Sequence, residues 1–589
     1  MQRLLRNRKR ITTVDRSGQP RPGLSLLKVA VLLIAGMAVA PYPARLSAAE
    51  KDPAPAQIPS PGSTGSRLLP GLDTYEFKIT TVSPQTQAWF DQGLLLLYGF
   101  NHGEAIRSFL EAAARDPQAA MPWWGIAYAN GMHVNVTEVT DAQWQAGHAA
   151  AEKAIALLDD ETELEQALVH AIAARTAWPP PAEQRPYDEA FAAAMESVYE
   201  RFGDHPDVAV QFAEALMNLQ PWDYWTQNLE PKERTLDFIA ALERALRIDP
   251  SHPQAAHLYI HAVEAGPDPA KGEAAADMLR SRVPAAGHLV HMPSHIYARV
   301  GRYADAVTAN EIAVAADDKY FDIGTDPGLY YAYHAHNLHF LAFAAMMEAR
   351  YDPALAAARR LEVAVPEEVL DQYAFLIEGI IPTTYHVMIR FGKWEDLLRE
   401  QAPPAKRPMM LAIHHYARGI ALSALGRTEE ARVEKAKFEN QIGNVPEDWW
   451  VFSNQAHDVL PIGRLMLEGE LAYREGRLDD AWSALTRAIA AEDRLVYDEP
   501  PGWMIPVRHA MGALLMEAGH YGRAEKLYRE DQVNHPGNGW SLLGLQQSLS
   551  AQGHLEEAAQ IGPQLDRAWT RVEERPPSSC LCAPGKGRS

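Results

Sequence analysis

Two histidine pairs, His257/His261 and His291/His295, recur at an interval of 34 residues, and Pro250 and Pro284 recur at the same interval. An interval of that size is the length of one helix–turn–helix unit stacked on the next. No other feature restricts the fold as much, because such a unit cannot bury its apolar face alone and must be covered by its neighbours. At 589 residues the chain exceeds a single ordinary core, so it is either several domains or a repeat array. Its alanine-rich, valine- and isoleucine-poor make-up favours helix over strand.

The first unit carries Trp89, Gly93, Leu96, Ala105, Phe109, Ala112 and Pro117, small residues where paired helices approach and large ones where a groove is filled. This is the pattern of a tetratricopeptide (TPR) unit. His102 stands where a tyrosine usually precedes the second helix. The second unit keeps Trp123, Trp124, Gly125 and Tyr128, then dissolves into GMHVNVTEVTD before a helix expected from Asp141 to Leu158, with Asp141 as N-cap. Trp178-Pro179-Pro180-Pro181 breaks the chain, and QPWDYW forms an aromatic turn. Later units are marked by Gly301-Arg302-Tyr303, Arg350-Tyr351, Gly392-Lys393-Trp394, Gly426, Gly476, Gly519 and Gly553, with the longest insertion at Lys319–Tyr331. The expected fold is all-α: a TPR-like, right-handed superhelical solenoid of about ten helix pairs. Irregular helices are expected over 84–250, the histidine-rich units over 251–400, further units over 401–575 and a disordered tail over 576–589.

Residues 1–49 read as an export signal: a leader rich in arginine and lysine, an apolar run from Val29 to Ala40, and Ser47-Ala48-Ala49 as a small-residue cleavage site. The apolar run is short for a membrane span. Cleavage after Ala49 removes nine positive charges and one negative, and takes the formal charge from −21 to −29. The protein is therefore expected in the periplasm or secreted, without stable membrane association; an uncleaved N-terminal anchor is the alternative. Residues 50–83 are expected to be a Pro/Gly/Ser-rich linker followed by a short cap on the array. So acidic a chain is unsuited to nucleic acid or anionic lipid. The two cysteines, Cys580 and Cys582, and the lack of C-x-x-C-H exclude attached c-type haem, iron–sulfur clusters and cysteine-rich zinc sites.

Nine of the 22 histidines lie between His252 and His339. In a unit of this type the first helix lines the concave surface, and its inward positions follow the 3.6-residue period. His257, His261 and Glu264 fall on that face in one unit, His291 and His295 in the next, His336 and His339 in the third and His386 in the fourth. His509 takes an equivalent position far along the chain. Four consecutive helices, about 8–10 Å apart, thus direct seven imidazoles and one carboxylate towards one cavity. Uncompensated imidazoles packed together leave unpaired nitrogens, or repelling charges once protonated. The expected metal ligands are therefore His257, His261, Glu264, His291, His295, His336, His339 and His386. His288, His334 and Asn337 are expected beside them as orienting partners. His252, His414 and His415 are expected to be structural or exposed. Imidazole with one carboxylate and no thiolate suits copper or zinc, then iron, and disfavours calcium and magnesium.

WFDQGLLLLYGFNHGEA, MPWWGIAYANG, AAHLYIHAVEAGPDP, AGHLVHMPSHIYARVGRY, EPPGWMIPVRHAMGALL and NGWSLLGLQQSL resemble a family of exported bacterial TPR proteins. The resemblance covers nearly the whole mature chain and implies the solenoid and its histidine-rich centre, but no reaction. Three functions stay open at this point. A metal-dependent oxidoreductase or hydrolase would use Glu264 as bridging carboxylate or general base. Arg299 and Arg390 would then be anion clamps, with Tyr297, Tyr385 and Arg508 as weaker candidates. A copper- or zinc-handling protein would hold the ion reversibly. A TPR scaffold would take a small-molecule or peptide ligand in its concave groove.

Overall fold

A computed structural model describes residue 62 and residues 64–582. Residues 1–49, expected to be an export signal, and most of the expected linker lie outside the described residues. What is described is almost entirely α-helical, antiparallel helix pairs following one another along the chain. The first pair is Pro84–Tyr98 with His102–Arg115, and the last is Gly539–Ala551 with Leu555–Ala568. The only strands among the described residues are Trp450–Val451 and Asn454–Gln455, a two-stranded hairpin. The described residues thus form an array of stacked helix pairs.

Local chemistry explains the pairing. The Phe109 ring sits between Gly93 and Gly125: a Cβ on either glycine would come within 2.7 Å of it. Helix-to-helix turns end in a left-handed residue, Gly301, Gly392, Gly426, Gly476, Gly519 or Gly553, with φ between 60° and 85°. The next amide then donates back to a carbonyl in the last helical turn, as Arg302 N–H does to Tyr297 O at 2.7 Å. Phe100 (φ 56°) and Ala349 (φ 59°) hold that position in two turns, where L side chains are disfavoured. The helix Asp141–Ile155 is capped by Thr140, not Asp141, through a capping box with Gln143.

One apolar cluster runs from Leu72 to Met347 and beyond, and a second from Val314 to Ala558; both draw on the helix Tyr330–Met347. Residues 64–83 are non-helical and pinned to the array: Thr64 donates to Glu111 (2.6 Å), Tyr75 to Asp207 (2.6 Å) and Thr80 to Glu165 (2.6 Å). The described part of the expected disordered tail, 576–582, is held too. Ser579 is buried with its hydroxyl against Tyr528 Oη (2.7 Å), Arg390 donates to its carbonyl (3.3 Å), and Cys580 and Cys582 form a buried disulfide. Polar anchors on several helices outweigh the low-complexity composition there.

The inner face of the central units is not an open groove. Three long connections cover it, bringing Trp222, Phe452 and Tyr497 onto the histidines and Glu264.

Candidate metal centre

Pro253 opens the helix Pro253–Val263, where its missing N–H is no loss, and His252 caps it through Nδ1. His257 and His261, one turn apart, share a side of that helix. The facing helix of the next pair is interrupted at Pro293 into Gly287–His291 and Pro293–Arg299, and presents His288, His291 and His295. The helix Tyr330–Met347 adds His336 and His339.

These side chains form two groups of three. His257, His261 and His288 bring one ligand-capable atom each to within 4.8 Å of one another, and so do His291, His295 and His336. In the first group His257 Nε2 lies 3.2 Å from His288 Nε2; in the second His291 Nε2 lies 2.9 Å from His295 Nε2. The groups adjoin, with ring centres 5.9 Å apart for His261 and His295 and 6.0 Å for His288 and His291.

The opposite ring nitrogens are held from behind. His257 Nδ1 meets Gln254 Oε1 at 2.9 Å and His291 Nδ1 meets Asn310 Oδ1 at 2.7 Å. Glu264 serves both groups: Oε1 accepts from His261 Nδ1 at 2.7 Å and Oε2 from His295 Nδ1 at 2.6 Å, while Tyr497 Oη also donates to Oε2 at 3.1 Å. Oxygen acceptors place the protons on Nδ1 and leave bare lone pairs on Nε2. For His291 and His295, whose Nδ1 atoms both have such acceptors, two lone pairs then face each other at 2.9 Å and repel unless a cation lies between them.

Electrostatics agree with this arrangement. Burial pushes His257, His288, His291 and His336 well below the usual imidazole range, and neighbouring imidazoles push them further. Burial also lowers His261, against the pull of Glu264. Burial alone would raise Glu264, but His295 and His261 outweigh it and hold the carboxylate ionised. His261 Nε2, His288 Nδ1 and His336 Nδ1 are buried without a hydrogen-bond partner. Neutral imidazoles with free nitrogens in a buried pocket fit a transition metal. Zn–N bonds of about 2.0–2.1 Å set ligand nitrogens about 3.3 Å apart in a tetrahedron, close to the 3.2 Å between His257 and His288.

Three residues in disfavoured left-handed backbone wall these groups. Phe100 packs on His257 (4.7 Å) and His288 (5.1 Å), Trp222 (φ 61°) on His261 (4.9 Å), and Phe452 (φ 50°) on His336 (5.2 Å). Such outliers cost about 1–3 kcal/mol each and persist where surrounding packing dictates them.

The structure places the other expected residues as follows. Glu264 stands behind the ligand nitrogens, not among them. His288, expected as an orienting partner, is a member of the first group; its place one turn before His291 was the available signal. His339 and His386 belong to neither group. Arg390 lies elsewhere, its guanidinium on the Trp540 ring (3.7 Å) and bonded to His509 Nδ1 (2.9 Å). Arg299 donates to the Glu264 carbonyl (3.0 Å) and stacks on Tyr497, so it braces Glu264. His334 and Asn337 both bond Asp317 (3.2 and 2.8 Å), tying two helices together. Tyr297 donates to Asp277, Tyr385 Oη meets His414 Nδ1 and Arg508 pairs with Asp493. His252 pairs with buried Asp207, and His415 with Glu434. Buried His133, 4.3 Å from Phe100, was not anticipated at all.

No protein-family model matches the chain, and no curated protein matches it. Solved structures with a similar helical course include the human IFIT1 dimer with m7Gppp-AAAA (12% identity, 85% of this chain and 93% of that one, TM-score 0.31). Others are the APC/C hetero-tetramer Cut9–Hcn1 (11%, 82% and 76%, 0.28) and yeast Tom70 (9%, 83% and 93%, 0.27).

Proposed function

We propose that this chain is a metalloprotein whose solenoid encloses two transition-metal ions, one held by His257, His261 and His288 and the other by His291, His295 and His336. The observation that carries the proposal is the pair of converging trihistidine groups, in which four rings are fixed from behind through Nδ1 by Gln254, Asn310 and a shared Glu264, leaving their Nε2 atoms for an ion. Imidazole ligands without thiolate suit zinc or copper, then iron. Three protein ligands leave a coordination position for substrate or water, the arrangement of catalytic rather than structural zinc. Bound there, such an ion supplies Lewis acidity and lowers the pKa of coordinated water, which suits a metal-dependent hydrolase or oxidoreductase acting on a small molecule.

The chain's own residues prepare that site. Glu264 fixes the tautomers of His261 and His295 together, and Tyr497 and Arg299 fix Glu264. Trp222, Phe100 and Phe452 exclude water. Burial of every ligand but half-buried His336 favours a resident ion over a reversibly buffered one, and the covered inner face leaves little room for a peptide. Export by residues 1–49, with cleavage or as an N-terminal anchor, belongs to the same proposal. Among the described residues no helix is long and apolar enough to cross a membrane.

Elemental analysis of protein purified without a histidine tag tests the proposal. Near-stoichiometric transition metal is expected, reduced by His257→Ala and separately by His291→Ala with the helical fold retained. Metal-free wild-type protein would overturn it.

A further inference from the structure

His339 and His386, left out of both groups, meet a different kind of partner. His339 Nε2 lies 3.2 Å from the thioether sulfur of Met504. The same sulfur is 3.7 Å from the Thr383 hydroxyl, one turn before His386 on the helix Thr383–Arg390. His386 packs edge-on against Trp503, beside Met504, at 5.1 Å. His339, His386 and Met504 are all buried. Both imidazoles also have a buried Nδ1 with no hydrogen-bond partner.

Hydrogen bonding alone leaves this cluster poorly satisfied. A thioether is a weak acceptor for the one proton of His339, and nothing engages the lone pair or proton on either Nδ1. Buried polar nitrogens in that condition are costly. Nearby Met466 shows the contrasting case: its sulfur accepts from Trp503 Nε1 at 3.1 Å and lies 3.8 Å from Tyr416 Oη. The donor set of two neutral imidazoles and one thioether is softer than either trihistidine group. Thioether sulfur selects copper in its monovalent state over zinc and other harder ions.

We propose that His339, His386 and Met504 form a separate site for monovalent copper. The site adjoins the second trihistidine group through the helix Tyr330–Met347, with Phe452 between them, 5.2 Å from His336 and 5.7 Å from His339. It stands on its own donor atoms and does not depend on the trihistidine groups being filled.

The test uses the full chain titrated anaerobically with Cu(I) against a competing chelator, with copper K-edge X-ray absorption on the loaded protein. Wild type should show a sulfur scatterer in the copper shell. Met504→Leu, which nearly conserves volume, should remove that scatterer. It should also weaken Cu(I) binding by about tenfold or more, at least what loss of an outer partner of a metal ligand costs. Met466→Leu should behave as wild type. His257→Ala should keep the copper–sulfur signal, which separates this site from the trihistidine groups. Absence of sulfur scattering in wild type, or equal Cu(I) affinity in wild type and Met504→Leu, would overturn the proposal.

Discussion

Glu264→Gln is the most informative single change. The carboxylate offers two acceptor oxygens to two imidazole N–H groups, His261 Nδ1 at 2.7 Å and His295 Nδ1 at 2.6 Å. A glutamine keeps one oxygen and turns an NH2 towards the other ring. Donor then faces donor, and that imidazole regains a hydrogen bond only by moving its proton to Nε2, which removes the lone pair a metal needs. Loss of such an outer partner costs about 10–100-fold in metal affinity, or about 1.4–2.7 kcal/mol. The change is nearly isosteric, so it leaves helix packing in place. Competition of the variant against a chromogenic zinc chelator should therefore show one site near its wild-type affinity and one weakened into that range. Circular dichroism should show unchanged helicity. Two sites of wild-type affinity would refute a role for Glu264 in fixing the ligands. Two equally abolished sites with helicity lost would show that Glu264 serves the fold.

Further expectations concern stability. His339 lies at about 3, and His102, His386 and His509 at about 4, chiefly through burial. Their folded values thus lie below the unfolded value of about 6.5. Stability is complete above that pH and is lost as pH falls, at about 1.4 kcal/mol per unit per histidine. Urea midpoints of metal-free protein should drop between pH 7.5 and pH 5; an unchanged midpoint would contradict the burial of these rings. Asp207 accepts from Tyr75 and Tyr98, both at 2.6 Å, and pairs with His252, none of them a proposed ligand. Asp207→Ala should cost about 3 kcal/mol by stranding buried hydroxyls, while leaving metal content per folded protein unchanged. Phe452→Gly should relieve left-handed backbone strain of about 1–3 kcal/mol while opening the wall over His336. Little change in melting temperature with faster metal exchange is expected, and unchanged exchange would mean that Phe452 does not seal the site.

Much of the architecture was legible from the interval alone. Pairs 34 residues apart had to occupy equivalent places on successive inner helices, and His257, His261, His291 and His295 do. The interval says which face a residue takes, not how far each layer turns relative to the last. His336 and His339 are three residues apart on one helix, yet the first joins His291 and His295 while the second turns to Met504. The outer partners were less legible. Tyr497 reaches Glu264 across 233 residues, along a connection that carries no repeat pattern. His288 was visible as a neighbour of His291, but its convergence with His257 depends on the break at Pro293 and the close approach of two layers. Phe100 left a clearer trace: a bulky residue occupies the turn position that Gly301, Gly392 and Gly426 take elsewhere.

The decisive measurement is anomalous X-ray scattering from crystals of untagged protein, collected across the zinc, copper and iron absorption edges. Two peaks are predicted, one among the Nε2 atoms of His257, His261 and His288 and one among those of His291, His295 and His336, with Glu264 behind both. Crystals of folded protein grown with added metal and showing no peak at either place would contradict the two-ion centre.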